Sequence, residues 1–149
     1  MKGADWVGLD TNVLVYADDP SSPHHRMARQ VLEDAMMGKR HVCLSPQVLA
    51  EYYAVITNPH KAKHPLSIDE ARRRITFLNR TRKIKKVYPR RTAMKRCMEV
   101  CAEHEIRGVR IFDVFYAMTL LDNRVRRLIT QNVRDFTFLK QLEVENPFT

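Results

Sequence analysis

The fold of this chain is decided by the stretch WVGLDTNVLVY at residues 6–16. Residues 7–16 are rich in β-branched and apolar side chains without strict alternation, which predicts a strand buried on both faces of a sheet. Asp10 interrupts this apolar run after its first few residues. A lone buried carboxylate is costly or takes up a proton. Asp10 is therefore expected to serve a site at the carboxyl end of the strand.

Two further acids lie in equally apolar surroundings. Glu51 belongs to VLAEYYAVI at residues 48–56, and Asp113 belongs to IFDVFYAM at residues 111–118. On its predicted helix Glu51 flanks the apolar stripe, and Asp113 falls in a first helical turn, where the helix dipole favours a carboxylate. One divalent cation holding all three acids would explain them together. Oxygen ligands without His or Cys favour Mg²⁺ or Mn²⁺ over zinc.

The rest of the chain alternates between helical and strand patterns. Helices are predicted over residues 24–37, 46–56, 67–82, 92–105 and 112–123, and strands over residues 41–44, 85–89, 127–130 and 142–144. This alternation predicts an α/β fold in three layers, with a central parallel sheet of about four to five strands and helices on both faces. Ligands bind such a sheet beyond the carboxyl ends of the strands, where the strand order reverses.

Length and composition predict one domain over residues 1–149, because 149 residues can bury a sufficient core. Three cysteines, an odd number without a Cys-x-x-Cys pair, do not form a disulfide framework. The sequence has no apolar run of transmembrane length and no signal-peptide pattern. We therefore expect a cytoplasmic protein with no membrane association.

The net charge of +9 is large for this length, and residues 80–96 contain no acidic side chain. Clustered Lys and Arg suit a polyanion, because each contact with a phosphate releases counterions. A solvated helical face is the alternative explanation for any single charged run. The candidate contacts to RNA are Arg80, Arg82, Lys83, Lys85, Lys86 and Arg110.

Four segments in order resemble the four motifs of the PIN-domain ribonucleases, and most of all the VapC toxins of toxin–antitoxin pairs. They are LDTNVL at 9–14, SPQVLAE at 45–51, FDVFYA at 112–117 and LITQNVRDF at 128–136. The resemblance spans nearly the whole chain. It implies a PIN-like fold, endonucleolytic hydrolysis of RNA with Mg²⁺ or Mn²⁺, a VapB-like antitoxin and a homodimer.

The resemblance also implies roles for individual residues. Asp10 and Asp113 match the family's most dependable metal ligands, and Glu51 matches an acid that binds the metal directly or through water. In the fourth motif either Asn132 is a neutral ligand and Asp135 completes the acidic set, or Asp135 only caps a turn; we expect Asp135 to belong to the site. The supporting residues are Thr11, Asn12, Thr130 and Asn132.

Within this set Thr11 offers a hydroxyl ligand, and Asn12 is expected to hold Asp10 by a hydrogen bond. The alternatives are that Asn12 caps a turn and that Glu51 pairs with an arginine.

Three other functions are compatible with parts of the sequence. A housekeeping PIN nuclease in RNA processing would carry the same acids. A non-catalytic domain that binds RNA or an antitoxin would keep the PIN fold and lose an acid. A phosphatase of the haloacid-dehalogenase type also begins with an aspartate at a strand end, but it needs a second acid two residues later, where this chain has Asn12.

Overall fold

The computed structural model describes residues 5–149 and contains one five-stranded sheet. The strands are β1 (Val7–Leu9), β2 (Val42–Leu44), β3 (Ile84–Lys86), β4 (Arg127–Ile129) and β5 (Glu143–Glu145). The helices are α1 (Thr11–Asp18), α2 (His25–Met36), α3 (Pro46–Ile56), α4 (Ile68–Arg80), α5 (Ala93–Glu103) and α6 (Ile111–Asp122). Two short 3-10 helices cover Gly108–Arg110 and Val133–Asp135.

The sheet has the order β3-β2-β1-β4-β5, and all its strand pairs are parallel. The chain moves outward from β1 to β3 and then returns to the other side of β1. Because parallel crossovers are right-handed, α1 to α4 cover one face of the sheet and α5 and α6 cover the other. The helix contacts agree, since α1 packs on α2 and α3 whereas α5 packs on α6. The predicted three-layer α/β fold is confirmed.

The prediction of one strand over residues 7–16 is wrong after Leu9. The backbone stays extended through Asp10, whose carboxylate accepts a hydrogen bond from the Thr11 amide at 2.8 Å and so caps α1. Val13, Leu14 and Ala17 are buried at helical spacing. A continuous apolar run does not distinguish a buried strand from a buried helix. Here the Asp10 carboxylate ends the strand, because it caps the helix that begins at Thr11.

The predicted beginnings of two other helices are confirmed. The hydroxyl of Ser67 accepts a hydrogen bond from the Glu70 amide at 3.2 Å, which caps α4. Pro46 occupies the first turn of α3 after an extended Ser45, although the Ser45 hydroxyl makes no capping hydrogen bond. These residues place α3 directly after β2, and Glu51 lies in the middle of that helix.

The core lies on both sides of the sheet. Leu9, Leu44 and Ile129 are fully buried strand residues, and Leu120 of α6 is fully buried beneath them. Although α6 is largely buried, it is only 12 residues long. Within residues 5–149 no helix is long and apolar enough to span a membrane.

Gly8 permits the close approach of α6 to β1. A Cβ at Gly8 would lie 2.8 Å from the side chain of Leu120 and 3.3 Å from the hydroxyl of Tyr116. That hydroxyl donates a hydrogen bond to the Leu9 carbonyl at 2.6 Å. Tyr116 lies three residues after Asp113 on α6, and Leu9 directly precedes Asp10. This buried hydrogen bond therefore fixes the helix that carries one acid to the strand that precedes the other.

We predict that Tyr116→Phe lowers the free energy of unfolding by about 1–3 kcal/mol, because the Leu9 carbonyl loses a buried partner. Urea unfolding of parent and variant would measure this difference in the free energy of unfolding, provided that the two proteins have equal m-values. Tyr88→Phe is the matched control, since Tyr88 is exposed and its substitution is expected to change stability by less than about 0.5 kcal/mol. Equal effects of the two substitutions would show that the Tyr116 hydrogen bond does not stabilise the fold.

Candidate active site

The candidate site lies at the carboxyl edge of the sheet, where the strand order reverses. Asp10 follows β1 and Thr130 follows β4, and these two strands are neighbours. The chain leaves β1 towards β2 on one side and reaches β4 on the other. Such a switch point opens a crevice between the loops, and ligands bind there in open parallel sheets. The sheet therefore places Asp10 at the position expected from the sequence.

Asp10 is held from several directions although it is only 8% exposed. One carboxylate oxygen accepts from the Thr11 amide at 2.8 Å, and the other accepts from the Thr130 hydroxyl at 2.6 Å. Burial raises the pKa of Asp10, the bonds from Thr130 and Thr11 lower it, and the nearby charges of Glu51 and Asp135 raise it again. The hydrogen bonds thus orient a carboxylate whose ionised form is disfavoured by burial and by the neighbouring acids.

Asn12 and Thr130 form a bracket around Asp10. The amide nitrogen of Asn12 lies 3.3 Å from the Thr130 hydroxyl and 3.5 Å from an Asp10 oxygen, and the amide oxygen of Asn12 accepts from the Gln131 backbone at 3.4 Å. The backbone amide of Asn132 also donates to the Thr130 hydroxyl at 3.0 Å. Asn12 and Thr130 therefore hold Asp10 against the segment that follows β4, as predicted for Asn12.

Glu51 is bonded on both carboxylate oxygens. The hydroxyl of Thr11 donates to one at 2.9 Å, and the side-chain amide of Gln47 donates to the other at 2.9 Å. The same Gln47 nitrogen donates to the carbonyl of Phe112 at 2.8 Å. Sequence reasoning missed Gln47, although it lies one helical turn before Glu51. Gln47 links α3 to the start of α6, so Glu51 is fixed next to the turn that carries Asp113. Both bonds to Glu51 come from neutral side chains rather than from an arginine.

Asp113 lies in the first turn of α6, as predicted. Burial raises its pKa to about 7, and the charges of Asp10, Asp135 and Glu51 add to the shift, whereas Arg110 opposes it. Four carboxylates from separate segments therefore lie within one another's electrostatic field. Repulsion among them disfavours the fully ionised state of the site.

The two candidates of the fourth motif occupy different surroundings. Asp135 ends the 3-10 helix Val133–Asp135, is partly buried, and raises the pKa of both Asp10 and Asp113. The side chain of Asn132 is exposed. Asp135 is therefore the one that the structure brings to the acidic cluster.

The family profile described as "PIN domain" matches residues 7–138. The chain belongs to the PIN domain family. It is also 29% identical over 143 residues to Ribonuclease VapC24 of Mycobacterium tuberculosis, covering 96% of this chain and 97% of that protein.

Solved structures share the PIN fold. The crystal structure of VapBC2 from Rickettsia felis, bound to a promoter DNA fragment, superposes with a TM-score of 0.65 at 19% identity, covering 95% of this chain and 98% of that chain. Mycobacterium tuberculosis VapC20, a toxin that cleaves the sarcin-ricin loop, superposes with a TM-score of 0.61 at 11% identity, covering 82% and 86%. At these identities the two structures support the fold alone.

The donor set of this PIN domain suits a hard divalent cation. The candidate side-chain donors are carboxylate oxygens, and neither His nor Cys is among them. Within residues 5–149 no group of three or more His, Cys, Asp or Glu side chains is arranged as a ready-made metal cluster. Mg²⁺ usually keeps several waters and binds through only one or two carboxylates together with substrate phosphates. The partly exposed Asp113 and the buried, oriented Asp10 fit that mode.

The basic residues predicted to contact RNA are scattered. Arg80, Arg82 and Lys83 end α4 or precede β3, which puts them towards the amino end of that strand, away from the edge with the acids. The Lys85 ammonium lies 5.1 Å from the ring centre of Trp6, which precedes β1. Of the six predicted contacts, Arg110 is the one whose charge acts on Asp113.

Lys86 has a structural use that the sequence did not reveal. Its ammonium donates to the carbonyls of Leu78, Thr81 and Ile84 at 2.5, 2.7 and 2.5 Å. Leu78 and Thr81 lie at the end of α4, where a cation complements the helix dipole, and Ile84 is the first residue of β3. Because its ammonium is bonded to these three carbonyls, we do not propose that Lys86 contacts RNA.

The raised pKa of Asp113 predicts a pH-dependent stability in metal-free buffer. The folded-state pKa, about 7, lies above the ordinary value of 3.8, so between these values the folded protein keeps a proton that the unfolded chain has lost. The free energy of unfolding therefore falls as the pH rises through this window. Asp113→Asn removes the carboxyl group that causes this loss of stability. The variant should therefore raise the melting temperature more at roughly pH 8 than at roughly pH 5.

Thermal unfolding with a chelator present would measure this difference. Glu103→Gln is the control for the loss of one surface charge, because Glu103 is exposed on α5. An Asp113→Asn variant that is less stable than the parent at the higher pH would contradict the prediction.

Proposed function

We propose that this PIN domain is a VapC-type endoribonuclease that hydrolyses RNA phosphodiester bonds with Mg²⁺ or Mn²⁺. Four carboxylates from separate segments act electrostatically on one another at the switch point of the sheet, and this arrangement carries the proposal. The similarity to Ribonuclease VapC24 over nearly the full length of both chains supports the same activity. The net charge of +9 suits an RNA substrate.

We assign the main metal ligands to Asp10 and Asp113. Asp10 is oriented by hydrogen bonds from Thr11 and Thr130, and repulsion from neighbouring acids favours a bound cation at Asp113. Glu51 and Asp135 complete the negative field and bind the ion directly or through water. Thr11, Asn12 and Thr130 support these acids, whereas Asn132 contributes through its backbone amide.

A bound divalent ion would lower the pKa of a water molecule and stabilise the charge that develops on the phosphodiester. The protein's own part is to hold its acids in place before the substrate arrives. The bracket of Asn12 and Thr130 fixes Asp10, and Gln47 fixes Glu51 against α6. Arg110 lies close enough to Asp113 to attract the phosphate towards the site.

We further propose a VapB-like antitoxin, a homodimer and a cytoplasmic location, where cellular RNA is accessible. A solved toxin–antitoxin complex from Klebsiella pneumoniae shares the fold of this chain, with a TM-score of 0.60 at 18% identity, covering 95% of this chain and 97% of that chain. An antitoxin that covers the acidic edge would block access of RNA to all four carboxylates.

Metal binding and cleavage should depend on the same acids. Mn²⁺ should raise the melting temperature of the parent, because a ligand that binds only the folded state stabilises it. Asp10→Asn and Asp113→Asn should lose most of this rise. Both should cleave a labelled single-stranded RNA more slowly than the parent. The expected loss exceeds the roughly 10- to 100-fold that follows from losing a residue that only supports a metal ligand.

A matched pair of variants tests the fourth motif in the same two assays. Asp135→Asn should weaken the Mn²⁺ response and cleavage, whereas Asn132→Ala should keep both, since the side chain of Asn132 is exposed. An unchanged Mn²⁺ response in Asp10→Asn would place the ion elsewhere. The reverse order of the Asp135 and Asn132 variants would assign the ligand to Asn132.

Expression of this chain alone in bacteria should arrest growth, because a free endoribonuclease cuts cellular RNA, and co-expression of the cognate antitoxin should restore growth. Asp113→Ala should be harmless without an antitoxin at matched levels of protein. Colony counts after induction measure both outcomes. A harmless parent with full nuclease activity in vitro would favour the housekeeping nuclease, and a toxic Asp113→Ala would favour the non-catalytic alternative.

A further inference from the structure

An exposed aromatic residue, Phe112, directly precedes Asp113 in the chain. Phe112 is 53% exposed although it is the residue before Asp113 in the first turn of α6. Val109, in the 3-10 helix that leads into α6, is 80% exposed. Apolar side chains left in water at the rim of a polar site are unfavourable for folding and typical of recognition surfaces.

The backbone of Phe112 is held rigidly. Its carbonyl accepts a hydrogen bond from Gln47 at 2.8 Å, and the same amide nitrogen of Gln47 holds Glu51 at 2.9 Å. The backbone from which the ring projects is thus linked through Gln47 to Glu51. A binding group that is fixed before the ligand arrives loses less conformational freedom on binding.

Two exposed arginines precede Phe112 in the segment that leads into α6. Arg110 lies two residues before Phe112 and acts electrostatically on Asp113, and Arg107 precedes the same 3-10 helix; both are exposed. Proteins bind single-stranded nucleic acid by combining stacking on aromatic rings with basic groups that follow the phosphates. A base stack and a phosphate contact therefore both have partners within three residues of Asp113.

Two other large aromatic side chains in residues 5–149 are exposed to a similar extent, but neither lies at the acids. Phe77, 57% exposed, is on α4 and lines a groove with Arg73, Thr76 and Arg80. Tyr88 follows β3, and its carbonyl accepts from Asn123. Phe112 is distinguished by its place beside Asp113 rather than by its exposure.

We propose that Phe112 and Arg110 form a nucleotide subsite in which the ring stacks on an unpaired base beside the scissile phosphate and the guanidinium pairs with an adjacent phosphate. This inference rests on the proposed ribonuclease function and names its substrate class as single-stranded RNA. A base inside a duplex has both faces covered by its neighbours and does not offer one to the ring.

Binding to three probes separates stacking from charge. In an Asp10→Asn background, which prevents cleavage, fluorescence anisotropy compares a short labelled single-stranded RNA, the same RNA in a duplex, and inorganic polyphosphate. Phe112→Leu keeps the apolar bulk and removes the ring. It should weaken binding to the single strand by roughly 5- to 100-fold, the range expected for one stacked base, and leave polyphosphate binding and the salt slope unchanged.

Arg110→Gln should give the complementary result. It should weaken binding to the single strand and to polyphosphate, and lower the salt slope for the single strand by about 0.7 log unit, as one lost phosphate contact requires. Phe112→Trp keeps a stacking face and should bind like the parent. Phe77→Leu is the matched control, an equally exposed ring on α4, and should bind all three probes like the parent.

The expected kinetic result is a raised KM for single-stranded RNA in Phe112→Leu. Equal binding of the single strand by Phe112→Leu and the parent would overturn the subsite, whereas the nuclease proposal would stand as long as the parent cleaves RNA. A parent that binds the single strand through Phe112 without cutting it would overturn the nuclease proposal alone. If Phe112→Leu instead dissociates a dimer or weakens antitoxin binding while RNA binding is kept, this face is a protein interface and the subsite is wrong.

Discussion

One buried carboxylate, that of Asp10, organises both the fold and the candidate site. It ends β1 and caps α1 through the Thr11 amide, and it also joins β1 to the segment after β4 through the Thr130 hydroxyl. A charge in this position would be unfavourable without those bonds, because burial raises its pKa. The helix cap, the strand junction and the candidate metal ligand are thus a single chemical group.

The acids around Asp10 are held together by neutral groups. Tyr116 fixes α6 to the end of β1, and Gln47 fixes α3 to the first turn of α6. These bonds keep the acids in place, although burial and the charges of the neighbouring acids raise the pKa of Asp113. The consequence is a site that is strained electrostatically but fixed geometrically. A divalent cation would relieve this repulsion, because its positive charge offsets the charges of the neighbouring carboxylates.

Some of the basic residues stabilise the fold, whereas others are free to contact a ligand. The Lys86 ammonium caps the end of α4, and Lys85 lies over Trp6, so part of the basic excess stabilises the edge of the sheet. Arg110 is close to the acids through a different segment. A high net charge therefore favours a polyanionic partner without indicating which cations contact it. That assignment requires knowing which side chains already have partners.

The sequence alone predicted the α/β class with its parallel sheet, the starts of α3 and α4, and the acids Asp10, Glu51 and Asp113, because periodicity and charge in apolar surroundings are local signals. It did not distinguish strand from helix over residues 11–16, where both patterns are continuous and apolar. The tertiary structure decided that Asp135 rather than the side chain of Asn132 joins the acids, that Gln47 links Glu51 to α6, and that Lys86 caps a helix. Each of these depends on contacts between residues distant in the chain or on the direction of a side chain, and neither is encoded in local spacing.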